Sequence, residues 1–245
     1  MEKISVIIIT RNEEENIEPA LKSVEWADEI IVVDAGSNDK TIDIAKKYTN
    51  KIYQKKWQGF VEQKKYALGL ASYEWVLSID ADERVSPELK EEIMKKQLGN
   101  FDGFKVRRKN YFFTQEITTC GWDKDYQLRL FKKSKAVLNE RLVHEGFEVY
   151  GKIGKLENVI IHNTFSSLHN YFKKVNDYTT LQAEEMYKSK KKITVLTIWG
   201  HTFSAFFRYF ISLKGFKDGM YGLIISFINS ISTMLTYVKI WEKKR

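Results

Sequence analysis

The sequence predicts an α/β fold built on a mostly parallel central sheet with helices on both faces. Three observations carry this expectation. Short apolar runs without alternation recur in the first hundred residues, as strands covered on both faces require. Segments of helical period separate these runs, giving βαβαβαβ order. The runs also end in polar, mainly acidic residues, and ligands of open parallel sheets sit beyond the carboxyl ends of the strands.

Ile4–Thr10 reads as the first strand. Glu14–Val24 reads as a helix with acidic residues in its first turn, where the helix dipole favours them. Ile30–Asp34 is a second strand, and Ser37-Asn38-Asp39 supplies caps for a helix reaching Tyr48. Ile52-Tyr53 is a short strand, Phe60–Ala71 a helix and Trp75–Asp80 a buried strand. Ser86-Pro87-Glu88 opens another helix, with a serine cap followed by proline. From Gly103 to Ile161 the pattern breaks into short β-like pieces, Phe104–Arg108, Leu128–Phe131 and Val159–Ile161. From Phe165 the chain turns helical and aromatic, which places a domain at 1–165 (halves 1–100 and 101–165) and an extension at 166–245.

The extension carries two apolar stripes at helical spacing: Trp199, Phe203, Phe206, Phe210 and Leu213, then Ile224, Ile228, Ile231, Leu235 and Val238. Residues 219–238 hold no charge, long enough to consider a membrane span. Ser226, Asn229, Ser230, Thr233 and Thr236 share the opposite face, however, and this amphipathic split favours a helix lying on a bilayer or packing on protein, including a second copy. Lys190–Lys192, Lys214, Lys217, Lys239, Lys243, Lys244 and Arg245 flank these stripes and suit anionic lipid.

A formal net charge of +8 points to acidic partners. A basic nucleic-acid-binding module is one such class, but no recognition-helix, zinc-finger or RNA-binding signature appears, so no nucleic-acid partner is expected. The single cysteine, Cys120, excludes an intrachain disulfide framework and fits a reducing compartment. Met1-Glu2-Lys3 runs straight into the first strand, so no export signal is expected.

Chemistry concentrates at three strand ends: Thr10-Arg11-Asn12-Glu13, Asp34-Ala35-Gly36-Ser37 and Asp80-Ala81-Asp82. A lone aspartate in a turn is ordinarily a cap; three such ends side by side suit a nucleoside and its diphosphate. Asp80 and Asp82 lie on alternate positions, and two carboxylates on one side need a cation between them. Neither Gly-x-Gly-x-x-Gly nor a Gly-Lys-Ser loop occurs, which disfavours a dinucleotide or P-loop site.

VIIITRNEEENI, VVDAGSNDKT and SIDADER together resemble the inverting family 2 glycosyltransferases of GT-A fold. GFVEQKKYAL, DYQLRLFKK, NERLVHE and the aromatic C-terminus are similar to lipopolysaccharide-core-type sugar transferases such as β-glucosyltransferases. The resemblance implies a UDP-sugar donor, Mg²⁺ or Mn²⁺, and transfer of a hexose to a saccharide hydroxyl. The implied acceptor is lipid-linked, at the cytoplasmic face of the membrane; a polyprenyl phosphate is the alternative. It implies that Thr10, Arg11, Asn12 and Glu13 line the nucleoside pocket, that Asp34 binds uracil or ribose, and that Lys64 lies near the diphosphate. Asp80, Ala81 and Asp82 become the DxD motif, with His162 as a third metal ligand. Glu145 becomes the catalytic base, with Asp125 as the other candidate and His144 beside it.

Overall fold

In the computed structural model, residues 2–96, 98–139, 146–165, 168–187 and 193–244 are described. The chain runs through β1 (Ile4–Thr10), α1 (Ile17–Lys22), β2 (Glu29–Asp34), α2 (Thr41–Ala45), β3 (Ile52–Gln54), α3 (Phe60–Leu70), β4 (Trp75–Asp80), β5 (Glu83–Val85) and α4 (Pro87–Lys95). It continues through β6 (Gly103–Phe112), β7 (Gln115–Glu116), β8 (Tyr126–Lys132), β9 (Ala136–Leu138), β10 (Phe147–Val149) and β11 (Ile153–Phe165). Three helices follow: α5 (Leu168–Tyr187), α6 (Val195–Phe207) and α7 (Gly219–Glu242).

The main sheet has the order β3-β2-β1-β4-β8-β6-β11-β5, with β7 hydrogen-bonded to β6. The first four strands are parallel, and β8 joins β4 antiparallel, so the sheet is mixed. The α/β class is the one expected, but among the described residues parallel pairing is confined to β3-β2-β1-β4, and the β4–β8, β6–β8 and β5–β11 pairs are antiparallel. Two compact units result, one from the described parts of 1–109, 125–140 and 145–162, the other from those of 110–124, 141–144 and 163–245. The second unit thus also takes in 110–124, where the hydropathy pattern shows no boundary.

In the first unit, alternate residues of the parallel strands feed two cores. Val6, Ile8, Val32, Leu77 and Ile79 point to one face, Ile7, Ile31, Val33 and Val76 to the other. Each of these side chains is almost fully buried, and each contributes roughly 1.5–3 kcal/mol of transfer free energy. At α4, Ser86 caps as expected, its Oγ accepting from Leu89 N at 3.1 Å, with proline at the first helical position.

β2 starts one residue earlier than the apolar run suggests, at the buried Glu29. Its carboxylate accepts from Ser5 Oγ, from Ser72 N–H at 2.8 Å and from Ser72 Oγ at 2.6 Å, and pairs with Lys51. Burial alone would raise its pKa, but the bonds from Lys51, Ser5 and Ser72 prevail and hold it at about 2, below its ordinary 4.5. A depressed carboxylate stabilises the fold above its unfolded pKa, and that contribution fades as pH falls towards the folded value. Glu29→Gln is therefore expected to lower the melting temperature at pH 7 and to flatten its dependence on pH between about 4.5 and 2; parallel wild-type and variant curves there would contradict this.

In the second unit, α7 packs against α5 and α6. The hydroxyl-bearing face of α7 packs on protein: Ser226, Ser230 and Thr236 are buried alongside Ile225 and Ile228. Ser230 Oγ donates to Thr202 O at 2.8 Å, and Thr236 Oγ1 donates to Gln182 Oε1 at 3.1 Å. Small hydroxyls let helix backbones approach closely while satisfying their own hydrogen bonds, as small residues do at other tight helix interfaces. At Gly222 the first turns of α7 meet the preceding turn, since a Cβ there would lie 1.8 Å from Gly215 O. Lys239, expected as a flanking cation, instead donates to Asn176 O, Thr179 Oγ1 and Thr180 Oγ1 at 2.6–2.8 Å. Lys190–Lys192 and Arg245 lie outside the described residues.

Candidate active site

The parallel register puts the strand ends side by side. Thr10 pairs with Asp34 across β1 and β2, and Ile9 with Asp80 across β1 and β4. Thr10 is buried, and its Oγ1 has no protein hydrogen-bond partner. A buried hydroxyl without a partner is unfavourable, which suits a ligand at this edge. The Asp34 carboxylate is fully buried and already caps its own turn, accepting from Gly36 N–H at 2.9 Å, Ser37 N–H at 3.0 Å and Ser37 Oγ at 2.5 Å.

The next loop residues are tied to the β2 loop. Asn12, in left-handed backbone at φ 55°, donates its N–H to Ser37 Oγ at 2.9 Å and accepts from Asn38 N–H at 2.8 Å. Glu13 N–H donates to Thr41 Oγ1 at 2.8 Å, Glu14 N–H to Asp39 Oδ2 at 3.1 Å, and Lys40 N–H to Glu14 Oε2 at 3.1 Å. Arg11 is exposed. The loop after β1 and the loop after β2 thus make one lip.

Beneath Asp80-Ala81-Asp82 lies a charge network that the motif alone does not reveal. Asp80 Oδ2 accepts from Arg129 Nη2 at 2.8 Å, and Lys64, on α3, lies 3.7 Å from Asp80 Oδ1. Arg129 also grips Glu83, which is fully buried and accepts from Asp80 N–H at 2.9 Å. Arg108 reaches Glu83 at 3.4 Å and holds Asp125 Oδ2 at 2.7 Å. Burial disfavours the Asp80 carboxylate, but Arg129, then Lys64, outweigh it and hold its pKa far below the ordinary range. Burial likewise opposes the Arg129 charge, while Asp80 and Glu83 reinforce it and raise its pKa. Glu83, Arg108 and Arg129 are the residues that sequence reasoning missed. The available signal was an arginine between two leucines in QLRLF, where a charge inside an apolar run needs a buried partner.

Asp82 and His162 come together. β11 pairs with β5 so that His162 stands opposite Glu83, and His162 Nε2 lies 3.5 Å from Asp82 Oδ2. Ala81 is buried in the turn between the aspartates. Among the described residues, no three His, Cys, Asp or Glu side chains form a group able to hold a metal. A carboxylate and an imidazole do suit Mg²⁺ or Mn²⁺ when substrate phosphates supply further oxygens. Asp80, facing Arg129 and Lys64, is not part of that pair. Asp125 accepts from Arg108 on one oxygen and from Gln127 Nε2 on the other at 2.8 Å. Glu145 and His144 lie outside the described residues.

Residues 5–146 match the family model of Glycosyl transferase family 2. The uncharacterized glycosyltransferase RT0209 of Rickettsia typhi is 30% identical over 99% of this chain and 88% of its own length. The lipopolysaccharide core biosynthesis glycosyltransferase LpsC of Rhizobium meliloti is 27% identical over 98% of this chain and 92% of its own. Among solved structures, S. aureus TarS 1-349 superposes with a TM-score of 0.49 at 16% identity, over 99% of this chain and 92% of that one.

Proposed function

Because this chain belongs to glycosyl transferase family 2 and is a glycosyltransferase, we propose that it moves a hexose from a UDP-sugar to a saccharide hydroxyl, with inversion at the anomeric carbon. The observation that carries this reading is the alignment of Thr10, Asp34 and Asp80 at three adjacent strand ends, with the Thr10 hydroxyl buried and lacking a protein partner. The name of the Rhizobium relative supports a lipid-linked, lipopolysaccharide-core-type acceptor, reached at the cytoplasmic face of the membrane.

Thr10 and the lip of Arg11, Asn12 and Glu13 receive the nucleoside, and Lys64 stands near the diphosphate. Asp82 and His162 are the residues that would hold Mg²⁺ or Mn²⁺ here; such an ion would offset the negative charge that grows on the leaving group. Asp80 supports this edge through its bonds to Arg129 and Lys64. The acceptor hydroxyl attacks the anomeric carbon from the side opposite the diphosphate, and the carbon–oxygen bond to UDP breaks. Glu145 takes the hydroxyl proton as general base. A single displacement turns an α-linked donor into a β-linked product.

Melting curves with UDP or UDP-sugars, with and without Mn²⁺, test the donor, because a ligand of the folded state raises the melting temperature. No shift with any of them overturns the reading. Glu145→Gln is expected to keep the shift and lose transfer by about 100-fold or more, the scale of a lost general base. If Asp125→Asn does this instead, with the shift retained, the base is Asp125.

A further inference from the structure

We propose that the outward face of α6, with the turn that follows it, is an insertion surface for an anionic lipid monolayer. Trp199, Phe203, Phe207 and Ile211 recur every four residues, at 49%, 57%, 54% and 56% exposure. Leu196 extends the stripe at one end with 85% of its surface exposed, and Met220 lies beyond the other end with 67%. From Ile193 to Phe207 the sequence holds no Asp, Glu, Lys or Arg. At 1.5 Å per residue the stripe from Leu196 to Ile211 is roughly 22 Å long. Soluble monomers rarely leave so continuous an apolar face in water.

Charge decides what covers it. Arg208, Lys214 and Lys217 flank the turn that closes the stripe, and all three are exposed. The acidic residue there, Asp218, is held by hydrogen bonds from Thr118 and Thr119. Aromatic and aliphatic side chains beside a cluster of cations match the acyl boundary and head groups of an anionic bilayer. A two-fold contact between copies would bring this same cation cluster near itself, because such an interface uses one patch twice.

The helix that length and composition alone would place across a membrane lies within Gly215–Glu242. Its hydroxyl seam is occupied, however, with Ser230 bonded to Thr202 on α6 and Thr236 to Gln182 on α5. α7 is therefore the spine that presents α6, and α6 is the element that enters lipid. This assignment goes beyond the transfer reaction and does not depend on the donor.

Flotation of the full chain with vesicles tests it. The protein should float with phosphatidylglycerol-containing vesicles and much less with pure phosphatidylcholine. Phe203→Ser with Phe207→Ser should reduce binding about tenfold or more while leaving the melting temperature and its UDP-induced shift in place. Lys214→Glu with Lys217→Glu should abolish the preference for anionic lipid, each cation near such a surface strengthening binding several-fold. Failure to float with either vesicle overturns the proposal. So does a dimer in light scattering that the phenylalanine variant turns into a monomer, because the occupant is then a second copy. Retention in membranes through alkaline carbonate extraction overturns it too, since the chain would then span the bilayer.

Discussion

Arg129→Met is expected to destabilise the chain by about 3–5 kcal/mol, the scale for removing one partner of a buried ion pair. Arg129 is 5% exposed, and its guanidinium serves two carboxylates, Asp80 and Glu83. Lys64, Arg108 and Arg129 face Asp80, Glu83 and Asp125, three cations against three anions. Methionine fills a similar volume but leaves Glu83, which water does not reach, with Arg108 as its remaining cation among the described residues. Urea denaturation measures the change as a lower midpoint. Arg129→Lys should recover only part of it, because the shorter lysine does not carry a nitrogen to the point where Arg129 Nη2 meets both Asp80 and Glu83. A stability within about 0.5 kcal/mol of wild type would mean that the network contributes nothing net, as happens where apolar packing replaces buried ions well.

Asp82→Asn is expected to separate chemistry from folding. Transfer should fall by about 100-fold or more, as when charge stabilisation at a leaving group is lost. The melting temperature should stay within a few degrees, because asparagine keeps the size of the side chain and an oxygen beside His162. Initial rates and calorimetric titration of UDP with and without Mn²⁺ check both halves. Near-normal turnover would remove Asp82 from the metal site, and a melting temperature as low as that of Arg129→Met would make its role structural.

The parallel half of the fold was legible because buried parallel strands leave unbroken apolar runs: β1 and β4 have the bounds read from sequence. Helix ends were less legible. α1 covers only Ile17–Lys22, because residues 13–16 form a turn in which Asn16 and Ile17 N–H both donate to Glu13 O. α2 stops at Ala45, with further turns to Thr49 instead of helix. β6 and β11 are far longer than Phe104–Arg108 and Val159–Ile161, because their polar residues interrupt the apolar signal without interrupting the ladder. In α7 the sequence showed two faces, but hydroxyls buried for close packing look the same as hydroxyls facing water. At the strand end, Asp80, Asp82 and His162 could be picked out from the sequence, but not what each of them contacts. That Asp80 answers to protein cations while Asp82 stands beside His162 depends on Arg129 and on the β5–β11 register, contacts distant in sequence.

The reciprocal bonds between residues 12–14 and 37–41 make the two loops one heritable piece. A chimera that imports 11–14 from a relative brings donors and acceptors cut for another partner, and changes in the two segments will not add independently. Transplanting this lip thus means carrying both segments across together, with Asp34 kept to hold Ser37, the residue that receives the Asn12 N–H.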